Sequence, residues 1–219
     1  MIAAAIFDID GTIIDSVDLH AKCWVEAFGH FGKQVSFADV RSQIGKGGDQ
    51  LLPVFLTEDE QQQIGDELEN FRGDLWKREY MQHVKPFPCV RELFQKLEAA
   101  GIRIALASSA KGDELQFYKK LAQIDDLLEA ETSKDDVEKS KPHPDIFHSA
   151  IEKLGSPRRE DSVVVGDSPY DAMAATKAGI RSVGLRCGGF PEGDLVQAGY
   201  AQLFDDPCDL LERSGDWAT

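Results

Sequence analysis

Ile6-Phe7-Asp8-Ile9-Asp10-Gly11-Thr12-Ile13-Ile14-Asp15-Ser16 is the stretch whose reading decides the fold. The apolar run of residues 2–7 has strand character and delivers two acids, Asp8 and Asp10, into a Gly-Thr turn. Positions two apart along a strand point to the same side, so two carboxylate-bearing residues converge where the strand ends. That arrangement suits a hard cation and a nucleophile in one pocket.

Downstream of Ser16 the spacing turns helical. Leu19, Trp24, Val25, Phe28 and Phe31 share one stripe over 16–31. Gly45-Lys46-Gly47-Gly48 breaks the next helical piece, and a long amphipathic segment, 57–81, opens on a capping box of Thr57 and Glu60. Pro86 and Pro88 mark a boundary. The pattern then alternates. A helix at 90–100 precedes a buried-type strand at 102–107, which ends in Ser108-Ser109. Helices follow at 113–122 and 145–154, then a strand at 162–165 stopping at Gly166-Asp167, a helix at 170–178 and a short strand at 180–185. Strands alternating with helices predict an α/β fold, a Rossmann-like parallel sheet with helices on both faces. The all-helical stretch 16–85 reads as an insertion into a core formed by residues 1–15 and 86–219. The last residues, 214–219, are expected to fray.

With 39 acids against 24 bases among 219 residues, the chain carries a net charge of −15. That argues against nucleic acid or an anionic membrane as a partner. A small phosphate ester is compatible, because a local metal and a lysine can reverse the local field. Cys23, Cys89, Cys187 and Cys208 form no CxxC and no ligand cluster, so they read as free, buried or half-buried thiols. The apolar start is only about seven residues long, far short of a spanning helix. It lacks a basic leader and runs straight into acids, unlike a signal peptide. A cytoplasmic, soluble monomer is the default expectation.

In open α/β sheets ligands sit outside the carboxyl ends of the strands. Three predicted strands end in polar groups there: the first in Asp8 and Asp10, the second in Ser108, the third in Asp167. Asp171 lies one helical turn past Asp167, so its carboxylate can return to the same place. Lys141 sits in the loop Lys139-Ser140-Lys141-Pro142 ahead of a helix. Each piece alone has a plainer reading. Asp-x-Asp-Gly is a common turn, Gly166-Asp167-Ser168-Pro169 a turn and helix cap, and a lysine before proline a solvated loop residue. Their order, each at the end of an expected element, is what points to a site.

This ordered set resembles the haloacid dehalogenase superfamily. The motifs are Asp8-x-Asp10-Gly11-Thr12, then Ser108 after a hydrophobic strand, then Lys141-Pro142-x-Pro144-Asp145-x-Phe147, then Gly166-Asp167-Ser168-x-x-Asp171. The helical insertion resembles that family's cap domain. The resemblance is nearest to the phosphoglycolate phosphatase-like and β-phosphoglucomutase-like branch.

The resemblance implies Mg²⁺-dependent phosphoryl transfer to and from an aspartate. Asp8 would be the nucleophile and Asp10 the general acid and base, its backbone carbonyl also serving as a metal ligand. Asp8, Asp10 and Asp167 would hold Mg²⁺, with Asp171 behind them. Ser108 and the Ser109 amide would bind phosphate oxygens, Gly11 and Thr12 would shape the turn and offer backbone N–H groups, and Lys141 would neutralise charge in the transition state. An acid two residues after the nucleophile favours phosphate esters over a carbon–halogen bond, whose halide needs no proton to leave.

Substrate choice is expected from the cap: His20, Lys46 within Gly45-Lys46-Gly47-Gly48-Asp49, Trp24 and Trp76. His20 reads either as an ordinary helix histidine or as a group that meets Asp10, and the tryptophans read first as core. Lys46 is a loop or ligand-contacting lysine, or, in a less direct reading, a Schiff-base lysine for cleaving a carbon–phosphorus bond. The β-phosphoglucomutase type carries an arginine where this chain has Gly47-Gly48-Asp49, and Arg41 lies earlier. The expectation is therefore a phosphatase acting on a small phosphorylated metabolite. A sugar phosphomutase is the alternative, and a non-catalytic metabolite sensor is disfavoured by the presence of both Asp8 and Asp10.

Overall fold

The computed structural model describes residues 2–218. Strand β1 (Ala4–Phe7) is followed by a short β2 (Ile14–Asp15), then by helices α1 (Val17–His30), α2 (Phe37–Arg41), α3 (Gly48–Phe55) and α4 (Glu58–Leu75). A π-helical turn at Trp76–Tyr80 and a 3₁₀ turn at Met81–His83 lead to β3 (Lys85–Pro86), which pairs antiparallel with β2. The chain continues through α5 (Val90–Ala99), β4 (Arg103–Ala107), α6 (Gly112–Ala122), β5 (Ala130–Thr132), α7 (Asp145–Lys153), β6 (Ser162–Gly166), α8 (Pro169–Ala178) and β7 (Arg181–Leu185). It closes with α9 (Glu192–Ala198), β8 (Gln202–Phe204), α10 (Pro207–Glu212) and α11 (Ser214–Trp217).

Six strands form one parallel sheet in the order β5-β4-β1-β6-β7-β8. The sheet is buried on both faces, which explains why its strands read as continuous apolar runs. Ala5, Phe7, Ile104, Leu106, Val163 and Val165 face one layer, against Val90, Leu93, Phe94 and Leu97 of α5 and Leu115 and Tyr118 of α6. Ala4, Ile6, Ala105, Ala107 and Val164 face the other, against Ile146, Phe147 and Ile151 of α7 and Ala174, Ala175 and Ala178 of α8. From β1 the chain builds outward through β4 and β5, then returns to place β6 on β1's other side. Phe7 is in register with both Leu106 and Val165, so the loops after β1, β4 and β6 open side by side at the topological switch point.

The helices between β2 and β3 have a separate apolar centre. Val17, Ala21, Trp24, Ala27 and Phe28 of α1 meet Val40, Ile44, Leu51, Leu52, Leu56 and Leu68 there. The capping box at the start of α4 is present: Glu60 N–H donates to Thr57 Oγ1 at 3.3 Å, and Thr57 N–H to Glu60 Oε2 at 3.0 Å.

Three expectations are corrected. Cys89 and Cys208 are not free thiols; they form a disulfide joining the start of α5 to α10. Cys23 and Cys187 remain free. The C-terminal residues do not fray as expected. Trp217 is fully buried, its indole N–H donates to the Leu210 carbonyl at 2.9 Å, and Arg181 donates to the Trp217 carbonyl; Thr219 lies outside the described residues, as does Met1 of the apolar start. Strands β5 and β8, three residues each and partly polar, complete the sheet edges where the sequence shows no strand pattern. No described helix is long and apolar enough to cross a membrane.

Candidate active site

Asp8 follows β1 directly, and its N–H donates to the Val165 carbonyl of neighbouring β6 at 2.9 Å, which fixes the loop against the sheet. Its carboxylate is buried. Lys141 donates to Asp8 Oδ1 at 2.6 Å and to Asp171 Oδ1 at 2.7 Å, so one fully buried ammonium bridges two buried acids. The other oxygen of Asp171 accepts from Ser168 N–H at 3.1 Å and Ser168 Oγ at 2.6 Å. Both oxygens of Asp171 are thus used within the protein, which suits it to orienting Lys141. Asp8 Oδ2 takes no side-chain hydrogen bond among the described residues.

Asp167 stands beside this pair. Thr12 Oγ1 donates to its Oδ1 at 2.9 Å, while its Oδ2 is buried with no partner. Ligand oxygens of Asp8, Asp167 and Asp171 lie within 4.8 Å of one another. Burial pushes the Asp8 carboxyl up to about 7, with Asp171 and Asp10 adding to the rise and Lys141 opposing it. Burial raises Asp167 too, helped by the neighbouring charges of Asp171 and Asp8. An orphaned oxygen in a cluster of crowded acids is what a hard cation would relieve. The donor set therefore fits Mg²⁺.

Space around Asp167 is controlled by the loops. A Cβ on Gly11, whose φ is +86°, would stand 2.2 Å from Asp167 Oδ2, and one on Gly188 would stand 1.8 Å from it. Both glycines let backbone approach the acid more closely than any side chain would permit.

Asp10 points elsewhere. Its Oδ1 accepts from Ser16 Oγ at 2.6 Å and lies 2.9 Å from His20 Nε2. Arg72 donates to the opposite ring nitrogen, Nδ1. A guanidinium only donates, so Nδ1 accepts and Nε2 carries the hydrogen that His20 gives to Asp10. His20 stacks on Trp76 with ring centroids 3.7 Å apart, and the Arg72 guanidinium lies 5.2 Å from the Trp24 ring centre and 5.4 Å from that of Trp76. Burial works to raise the Asp10 carboxyl, but His20, Ser16 and Arg72 outweigh it and hold Asp10 below the usual carboxylate range.

Asp8, Asp10, His20, Lys46, Ser109 and Lys141 share a cavity of about 70 Å³ between the sheet end and helices α1 and α4. Gly11, Thr12 and Ser108 do not face it. Ser108 Oγ accepts from Ala110 N–H at 3.0 Å, whereas the Ser109 hydroxyl is buried with no partner. Lys46 turns toward Gln43 Oε1, 2.6 Å away, and over the Tyr170 ring. Arg41 is bound to Asp18 and to the Gly188 and Gly189 carbonyls, away from the cavity.

The sequence reading missed Arg72, Glu69, Lys111, Glu114 and Lys134, all of which line the cavity. Only the spacing of Arg72 and Trp76, one helical turn apart, hinted that they share a face. The helices between β2 and β3 are fastened to the sheet's helices and loops at several points. Asp49 accepts from Lys134 at 2.6 Å and from Ser140 N–H at 3.1 Å. Tyr170 donates to the Ser42 carbonyl at 2.6 Å, and Lys77 to Asp113 at 2.5 Å.

A family model described as haloacid dehalogenase-like hydrolase matches residues 5–185. A protein of Caldanaerobacter subterraneus subsp. tengcongensis, provisionally named the pyrophosphatase PpaX, is 32% identical over 96% of this chain and 94% of its own length. A Thermotoga maritima protein named phosphorylated carbohydrates phosphatase is 28% identical over 82% of this chain and 83% of its own length. The crystal structure of a hydrolase from Pseudomonas syringae superposes with a TM-score of 0.89 at 28% identity, covering 99% of each chain.

Proposed function

The chain belongs to the haloacid dehalogenase-like hydrolases, and within that family we propose that it is a Mg²⁺-dependent phosphatase of small phosphorylated metabolites. The observation that carries this reading is the division of labour between two acids two residues apart. Asp8 keeps one oxygen on Lys141, Asp10 is held by Ser16 and His20, and both acids line the same space. A nucleophile and a proton donor sharing one small cavity suit displacement at phosphorus.

Asp8 attacks phosphorus as the bond to the leaving oxygen breaks, giving an aspartyl-phosphate. Asp10 supplies the proton that the leaving oxygen needs. The arriving phosphate dianion raises Asp10 from its depressed value and so loads that proton. In the second half Asp10 takes a proton from water, which displaces inorganic phosphate and restores Asp8. Lys141 offsets negative charge on Asp8 and the transferring group throughout. Asp8, the Asp10 carbonyl and Asp167 would hold Mg²⁺, which lowers the repulsion between carboxylate and phosphate. The Ser109 hydroxyl is the polar group best placed for a phosphate oxygen, with Ser108 bracing its turn. Thr12 acts through Asp167, and Gly11 by giving it room.

Residues 16–85 act as a cap over a core of 1–15 and 86–219, and His20 brings the cap's own group to Asp10. A mutase reading finds little support, since Asp49 occupies the cap loop and Arg41 is committed elsewhere. The test is phosphate release from a panel of phosphate monoesters in Mg²⁺. We expect turnover by the wild type and loss of at least about a thousandfold in Asp8→Asn, the scale expected for removing a covalent nucleophile. Wild-type-like turnover by that variant would refute the mechanism.

A further inference from the structure

Glu114 lies in the first turn of α6, is 3% exposed and lines the same cavity as Asp10. Its carboxylate makes no hydrogen bond, and no cation lies within 4.0 Å of it, among the described residues. A buried carboxylate without a partner is expensive to maintain, and such groups concentrate where a ligand completes them. Burial holds this carboxyl above the usual range, although Arg72 and His20 pull it down. Its place at a helix start is favourable by itself, but that does not require the side chain to face an active-site cavity.

The surrounding charges narrow what the ligand is. Glu69 of α4 adds a second carboxylate to the wall. Of the wall's cations, Lys134 is paired with Asp49, whereas Arg72 holds His20, Lys46 holds Gln43 and the Tyr170 ring, and the Lys111 ammonium makes no hydrogen bond or ion pair within the described residues. A leaving group bearing hydroxyls would give Glu114 the donor it lacks.

We propose that Glu114 is a specificity-determining residue, accepting a hydrogen bond from a hydroxyl of the leaving group. The substrate class is then a hydroxylated organic monophosphate, a polyol or sugar phosphate. This inference rests on the phosphatase reading above. No bond is made or broken at Glu114; it binds.

The experiment measures kcat and KM for phosphate release, in Mg²⁺, from glycerol phosphate, ribose phosphate and glucose phosphate, from propyl phosphate as a hydroxyl-free ester, and from nitrophenyl phosphate as a generic ester. The wild type should favour the best hydroxylated ester over propyl phosphate by about tenfold or more in kcat/KM, the size of one hydrogen bond to a charged group. Glu114→Ala should erase most of that preference through KM. Glu114→Gln keeps an acceptor but not the charge, so it should retain part of the preference for hydroxyls. Thermal melts of both variants establish that they are folded. Equal use of propyl phosphate and hydroxylated esters by the wild type would overturn the proposal. So would an Ala variant that loses propyl and hydroxylated esters in equal proportion, the mark of a structural role. Absence of turnover on every ester, nitrophenyl phosphate included, would instead bring down the phosphatase reading and this inference with it.

Discussion

Arg72 donates to Nδ1 of His20, and that single contact dictates which ring nitrogen of the histidine faces Asp10 with a hydrogen. The two residues are 52 positions apart, and the guanidinium that orients the imidazole itself lies against Trp24 and Trp76.

If this chain of contacts aims the general acid, Arg72→Ala should lower kcat by about ten- to a hundredfold, up to the lower end of what acid–base catalysis contributes. His20→Gln should fall less than His20→Ala, because an amide N–H can still reach Asp10. Steady-state kinetics on an ester with a poor leaving group will expose the loss. An ester with a good leaving group needs less proton assistance and should be hurt less.

Chelation should abolish activity, and Mg²⁺ should restore it. Because Asp167 Oδ2 is the buried oxygen left without a partner, Asp167→Asn should lose Mg²⁺ affinity by at least about tenfold. A ligand at a hundred times its Kd adds about 2.7 kcal/mol to stability. Melting curves with and without Mg²⁺ therefore report binding independently of turnover, and a tenfold loss of affinity should cut the Asn variant's shift to about half at the same Mg²⁺ concentration.

Asp49 is half-buried, which would raise its carboxyl, but the hydrogen bonds from Lys134, Gln50 and Ser140 outweigh burial and hold it at about 2, below the ordinary 3.8. A depressed value in the folded state means the contact contributes fully above pH 3.8 and fades as pH falls from there toward 2. Asp49→Asn should therefore destabilise by about 1–2 kcal/mol at neutral pH. The gap between wild-type and variant melting temperatures should narrow below pH 4, by about half near pH 3. The same variant should raise KM, since the contact fastens the loop that carries Lys46.

Reducing the Cys89–Cys208 bond should lower stability by about 2–4 kcal/mol, because it closes a long loop of the unfolded chain; the two cysteines are 119 positions apart. The Cys89→Ser, Cys208→Ser double variant should melt at the temperature of the reduced wild type. Denaturant titrations with and without reductant measure the difference.

Much of the site could be read from the chain because parallel strands impose a simple grammar. Asp8, Asp10, Ser108 and Asp167 each follow an apolar run, and all strand ends of one sheet open on the same side. The family followed from those motifs, and the match over residues 5–185 bears it out. What resisted reading is held together across space. Arg72 and Glu114 sit on helices whose polar faces look like any solvated surface, and only the approach of α4 and α6 to the strand ends turns them inward. The Cys89–Cys208 bond has no local signature, since its partners lie on α5 and α10, elements that touch only after the sheet has formed. Residues 130–132 and 202–204 were missed as strands because edge positions need little apolar content and three residues show no period. Trp217 escaped because a terminal tryptophan declares nothing about whether a groove awaits it.

Asp49, Arg41, Tyr170 and Lys77 tie the helices between β2 and β3 to the sheet and its loops. Any opening of the space beneath must break those ties, so a visitor enters only as the molecule breathes. Departure of the products meets the same obstacle. For good substrates the bottleneck of each cycle becomes escape rather than bond breaking, so turnover should slow in viscous glycerol or sucrose while staying indifferent to leaving-group basicity.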